Sequence, residues 1–178
     1  MDWATLSTTA VMVAVVFIAV ITDVRSGKIY NAVTLPAAII GLILNGVFHG
    51  LDGIGASLLG LAAGFGVFLF SSLFGRILGG GDIKLLMAVG ALQGPEFLLW
   101  TVIYTAIAGG IMAIAITLWR KDFLASMRRL WAGLTMRLFA RVPIDVSDGT
   151  PVTARLPYAI PIAAGSLVAF CALHLLPM

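Results

Sequence analysis

Two short stretches hold the residues that could do chemistry: "GGGDIK", Gly79 to Lys84, and "TDVRSGKIYN", Thr22 to Asn31. Each sets one carboxylate, Asp82 or Asp23, beside a long apolar run. Ionisable groups at such places are costly when they enter lipid, so they are functional candidates by default. Of the eight acidic residues, six have solvation as sufficient reason: Asp2, Asp52 and Glu96 lie in one set of loops, and Asp122, Asp145 and Asp148 in a polar region. Asp23 and Asp82 remain. Two carboxylates held together share a proton, because both cannot readily ionise. The ionised member can draw a proton from a water attacking a peptide carbonyl while the protonated member donates to the carbonyl oxygen. No covalent intermediate is needed, and no serine or cysteine nucleophile with a histidine base is evident. Coupled groups carry no individual assignment of acid and base.

Gly79, Gly80 and Gly81 lack a Cβ, so they allow positive φ and let another backbone approach closely. A glycine strip beside the acid would accept an extended substrate strand by backbone hydrogen bonding. Each aspartate alone also has a structural reading: Asp82 as the N-cap of a helix, Asp23 as a cap or a partner of Arg25. Among twenty glycines a GxGD string is a weak signal. The pairing rests on the matching sidedness of the two residues.

That sidedness comes from the elements around them. Of 178 residues 61% are hydrophobic and only 11% charged, with a mean hydropathy of +1.09; soluble domains are near 25% charged. A chain so apolar is expected to meet lipid over most of its surface, as an all-α polytopic membrane protein. Apolar runs fall at about 4–22, 32–48, 54–74, 83–92, 97–119 and 156–176, which predicts six transmembrane helices in a single integral-membrane domain, 1–178. All eleven Lys and Arg then lie on one side, while Asp2, Asp52 and Glu96 lie on the other. By the positive-inside rule both termini are extracytoplasmic. Five spans would split the basic residues between the two faces. The first run lacks a basic n-region and a cleavage site, so it reads as a retained anchor.

The fourth run has about ten apolar residues after Asp82, roughly 15 Å of helix, half of a ~30 Å hydrocarbon core. Asp82 below the membrane surface, a thinned bilayer and a helix continuing past Pro95 are the three readings open here. Between Arg120 and Arg141, Phe123, Met127, Leu130, Trp131, Leu134 and Leu138 share one helical face opposite Lys121, Arg128 and Arg129. This segment, 120–141, is expected to be an amphipathic helix in the cytoplasmic interface. The net charge of +3 reads as topology signal rather than a nucleic-acid surface. One cysteine, Cys171, excludes an intrachain disulfide and a cysteine-cluster zinc site. His49 and His174 lack ligand partners, so neither metal nor cofactor is expected.

These motifs resemble those of the type IV prepilin peptidases, aspartic proteases embedded in the membrane. "DVRSGKIYN" is similar to the family's first catalytic element, placing its Asp at Asp23, its Ile at Ile29 and its Asn at Asn31. "GGGDIK" is similar to the GxGDxK element, placing its glycines at Gly79 and Gly81, with Gly80 between them, its second catalytic Asp at Asp82 and its Lys at Lys84. "LPYAIPIAAG", Leu156 to Gly165, resembles the start of the family's last helix. Tyr30 stands where the family usually has proline, which leaves the backbone after Asp23 less rigid. The four-cysteine insertion linked to N-methylation in longer members is missing, so the chain resembles the short, peptidase-only form of Flp pilus, tight-adherence systems. The resemblance implies cleavage of a basic leader after a glycine, ahead of the hydrophobic segment of a prepilin or pilin-like substrate. The setting it implies is a bacterial inner membrane with the active site towards the cytoplasm.

Rival readings have their own signatures. A small proton-coupled transporter or channel would also use intramembrane carboxylates, often with internal repeats, and no convincing repeat relates the two halves of this chain. A presenilin-type protease shares GxGD but resembles a Tyr-Asp element at the first aspartate, where this chain has Thr22. A non-enzymatic assembly factor would be expected to have lost one of the carboxylates.

Overall fold

The computed structural model describes residues 2–73, 78–119 and 158–174. All regular structure among them is helical: α1 (Trp3–Ser26), α2 (Asn31–Leu73), α3 (Gly80–Trp119) and α4 (Ala159–His174). The first three are long and apolar enough to cross a membrane, and α4 is a shorter apolar helix. The proposed amphipathic segment 120–141 lies outside the described residues. The chain divides into two compact units, Met1–Gly109 with Pro157–Met178, and Gly110–Leu156. The first contains every contact discussed below. Of the second, only the end of α3 is described.

Two of the helices fold back on themselves. In α2 only Gly50 leaves helical geometry, with φ 62° and ψ −140°, a left-handed conformation that a side chain would resist. The arms on either side then meet: Asn45 Nδ2 lies 2.9 Å from Ser57 Oγ, although twelve residues of straight helix would separate them by about 18 Å. In α3 the same role falls to Gly94, φ 85° and ψ 175°, followed by Pro95, whose missing N–H costs nothing at a new helix start. Leu98 accordingly packs against Gly90. The stretch "QGPE" is a turn, as its residues predict, but only Gly94 departs from helix; the helix does continue past Pro95, after a reversal.

The first arm of α3, 80–93, is the centre of its unit. Leu85, Leu86, Ala88, Val89 and Leu92 are all at most 1% exposed, so this arm is buried on every side, as an all-round apolar helix should be. Small residues let its neighbours reach it. Gly60 and Gly90 meet backbone to backbone, and a Cβ at Gly41 would sit 2.8 Å from the Ala91 carbonyl. On the outside, Phe17, Val47, Leu51 and Phe70 are each more than 60% exposed, a surface suited to lipid rather than water.

The reversal at Gly94 leaves the last carbonyls of that arm without intrahelical donors. Two polar side chains from α2 answer them. Ser57, fully buried, donates from Oγ to the Ala91 carbonyl at 2.7 Å, and Asn45 Nδ2 lies 3.2 and 3.1 Å from the carbonyl oxygens of Ala91 and Leu92. Asn45→Ala strips donors from acceptors that no water reaches, and is expected to cost about 1–2 kcal/mol. A lowered unfolding midpoint in detergent is the measurement; an unchanged midpoint contradicts the role given to Asn45.

Candidate active site

Asp82 is the third residue of α3 and only 8% exposed. Its Oδ2 accepts the N–H of Gly79, the residue before the helix, at 3.0 Å. This is the carboxylate half of a capping box, which draws the side chain back over the helix start. A Cβ at Gly79 would stand 3.0 Å from that same oxygen, so glycine there keeps room for the carboxylate.

Asp23 lies in the last turns of α1, half-buried. The helix ends just beyond it at Gly27, left-handed at φ 63°, whose N–H donates to the Asp23 carbonyl at 2.8 Å, an αL cap. The Asp23 side chain accepts, at Oδ2, the N–H of Ala159 at 3.1 Å. Ala159 is the first residue of α4, fully buried and 136 residues further along the chain. Each carboxylate therefore sits at a helix N-terminus, where unpaired N–H groups and the helix dipole attract negative charge. Asp23 and Asp82 also lie within electrostatic reach of one another.

The flanking residues singled out in the sequence join the same place in pairs. A Cβ at Gly81 would come within 3.0 Å of Ile29 Cβ, so the link between α1 and α2 rests on the start of α3. Lys84 Nζ donates to Asn31 Oδ1 at 2.8 Å, tying α2 to α3 one turn further on. Lys84 thus has a neighbour from the other motif.

The glycine strip differs from its expected form. None of Gly79, Gly80 and Gly81 takes a positive φ, and Gly80 and Gly81 open the helix instead of extending as a strand. The Gly79 N–H is taken by Asp82. What the glycines provide is access: nothing stands within 4 Å of a Cβ at Gly80, and the first N–H groups of a helix have no intrahelical acceptor. From Gly80, with Asn31 and Lys84, a cavity of about 500 Å³ runs along an apolar wall that includes Leu35, Phe65 and Met87.

Sequence reasoning passed over Ala159. A backbone N–H has no residue signature, and the one available signal was the Pro-Tyr pair that opens the last apolar run. Among the described residues, no group of three His, Cys, Asp or Glu comes together. Two neighbouring carboxylates, one buried and one open to half its surroundings, can position and deprotonate a water and protonate a leaving group. The type IV leader peptidase family model matches residues 10–114, a stretch that holds Asp23, Asp82 and each flanking residue named above. No curated protein and no solved structure matches the chain.

Proposed function

Since the chain belongs to the type IV leader peptidase family and is therefore a peptidase, we propose that it cleaves the basic leader of Flp-type prepilins after a glycine. Asp23 and Asp82 act as an aspartic pair on an activated water. The observation that carries this reading is the approach of these two carboxylates, each fixed by a backbone N–H, from elements far apart in sequence.

In the mechanism, water lies between the carboxylates and the ionised one takes its proton as oxygen attacks the scissile carbonyl. The protonated one supplies the carbonyl oxygen, and the proton later passes to the departing amine. The substrate strand lies over open Gly80 and bonds to free N–H groups at the start of α3. The cavity beyond it suits the hydrophobic segment that follows the cleavage site. A net negative pair attracts a positively charged leader.

The same reading takes the hairpins at Gly50 and Gly94 as membrane re-entries, giving six crossings with both termini outside and the carboxylates at the cytoplasmic face of a bacterial inner membrane. It makes the chain a short, peptidase-only form without methyltransferase activity. The test is purified protein in detergent incubated with Flp-type prepilins, read by the mass of the new N-terminus. A single cut after glycine, between leader and hydrophobic segment, is expected. Intact prepilin in the presence of folded protein overturns the proposal.

A further inference from the structure

The carboxylate pair supplies a base and an acid, but the carbonyl oxygen of a peptide under attack gathers negative charge, and fixed donors aimed at it are usually the largest single source of rate. Both backbone donors described above already point elsewhere, to Asp82 from Gly79 and to Asp23 from Ala159. One side chain nearby has a donor to give.

Tyr158 immediately precedes α4. Its position is held from three sides. The next N–H, that of Ala159, is bonded to Asp23. Its own carbonyl accepts the N–H of Ile162 at 3.2 Å, which makes it the backbone cap of the helix. Its ring lies over Gly109, with Cε1 3.9 Å from where a Cβ would stand. The residue is thus tied to Asp23 through one peptide unit, and its half-buried phenol reaches across to the field of Asp82. The phenolic O–H donates to neither carboxylate, since the Oδ2 atoms of both take backbone donors. A phenol is both donor and acceptor, and this one stands beside the pair with its proton uncommitted to it.

We infer that Tyr158 is a further catalytic residue of this site, its phenolic O–H donating a hydrogen bond to the scissile carbonyl oxygen as water adds to the carbon. The water oxygen forms the new C–O bond, and its proton passes to the ionised carboxylate. The carbonyl π pair moves onto the oxygen that Tyr158 holds. When the C–N bond breaks, the amine leaves with a proton from the carboxylate pair. Tyr158 keeps its own proton throughout. The inference rests on the peptidase reading and deepens it.

The test is Tyr158→Phe, which retains the ring over Gly109 and the backbone link to Asp23. Its kcat for prepilin is expected to fall by about 10- to 100-fold, with KM within about twofold of wild type and an unchanged unfolding midpoint. A kcat within about threefold of wild type, or a loss carried by KM alone, overturns the role. A second measurement needs no turnover: a prepilin peptide with a tetrahedral hydroxyl in place of the scissile carbonyl should bind the variant about tenfold more weakly, while the unmodified peptide binds both equally. Equal binding of the tetrahedral peptide overturns the role. Wild type and Asp82→Asn run beside it. If these two are equally inert, the peptidase reading falls and the tyrosine's role with it; if only Asp82→Asn is inert and Tyr158→Phe is not impaired, the tyrosine's role falls alone.

Discussion

Asp82→Asn is expected to lower kcat/KM for leader cleavage by about 10³-fold or more while leaving the protein folded. The asparagine Oδ1 still accepts the Gly79 N–H, so the capping bond survives the change. What disappears is a group able to hold and release a proton, and general acid–base chemistry contributes about 10²–10⁴. A carboxylate present only as a cap would be replaced by asparagine at almost no cost, so the substitution separates catalytic from structural readings. Asp23→Asn works in the same way, retaining an acceptor for Ala159. The double variant should be no worse than either single one, because members of a catalytic unit are grossly non-additive. Asp52→Asn, exposed beside the Gly50 turn, is the indifferent control. Initial rates with purified prepilin, alongside thermal unfolding, decide the matter: near-normal rates for either single variant would remove that aspartate from the mechanism.

Gly90→Val is expected to be the most damaging substitution in the bundle away from the chemistry. Any Cβ at Gly90 runs into the backbone of Gly60, and one at Gly60 runs into Gly90. The obstacle is main chain on both sides, so no rotamer change relieves it. Overpacking of this kind costs typically 1–3 kcal/mol, and with two rigid helices forced apart the expected loss is about 3 kcal/mol or more. The arm that moves carries Asp82 at its start, so activity should fall with stability. Gly66→Ala is the contrasting case, where nothing lies within 4 Å of the added atom and alanine favours helix by up to about 1 kcal/mol. Unfolding midpoints in detergent check both. A Gly90→Val protein as stable as wild type would mean that the two helices do not touch there.

Which features could be read in advance follows from what kind of signal each one leaves. Apolar runs announce helices, and Asp23, Asp82, Asn31 and Lys84 stand out because charged and polar residues are rare at the edges of such runs. Their pairing as Ile29 with Gly81 and Asn31 with Lys84 ties together two motifs separated by the whole of α2. The hairpins were only half visible. The run 32–48 and the run 54–74 suggested a polar loop between them, but His49, Leu51 and Asp52 are all helical, since one left-handed glycine is enough to reverse the chain. The short fourth run makes sense as the buried centre, whose carbonyls at the turn are met by Asn45 and Ser57. Nothing in the sequence marks those two as partners: each is a lone polar residue within an apolar stretch. Ala159 acts through its backbone and so leaves no signature.

The bond between Asp23 and Ala159 also has a meaning in time. A ribosome adds about 5–20 residues per second, so the 136 residues between them take roughly 7–27 s to synthesise at that pace. Throughout that interval α1 is already made and its carboxylate awaits a donor that has not yet been translated. Newborn copies thus complete Asp23's surroundings last, when the end of the chain arrives, and a ribosome that stalls before α4 leaves behind a protein with both aspartates and only one of them tethered.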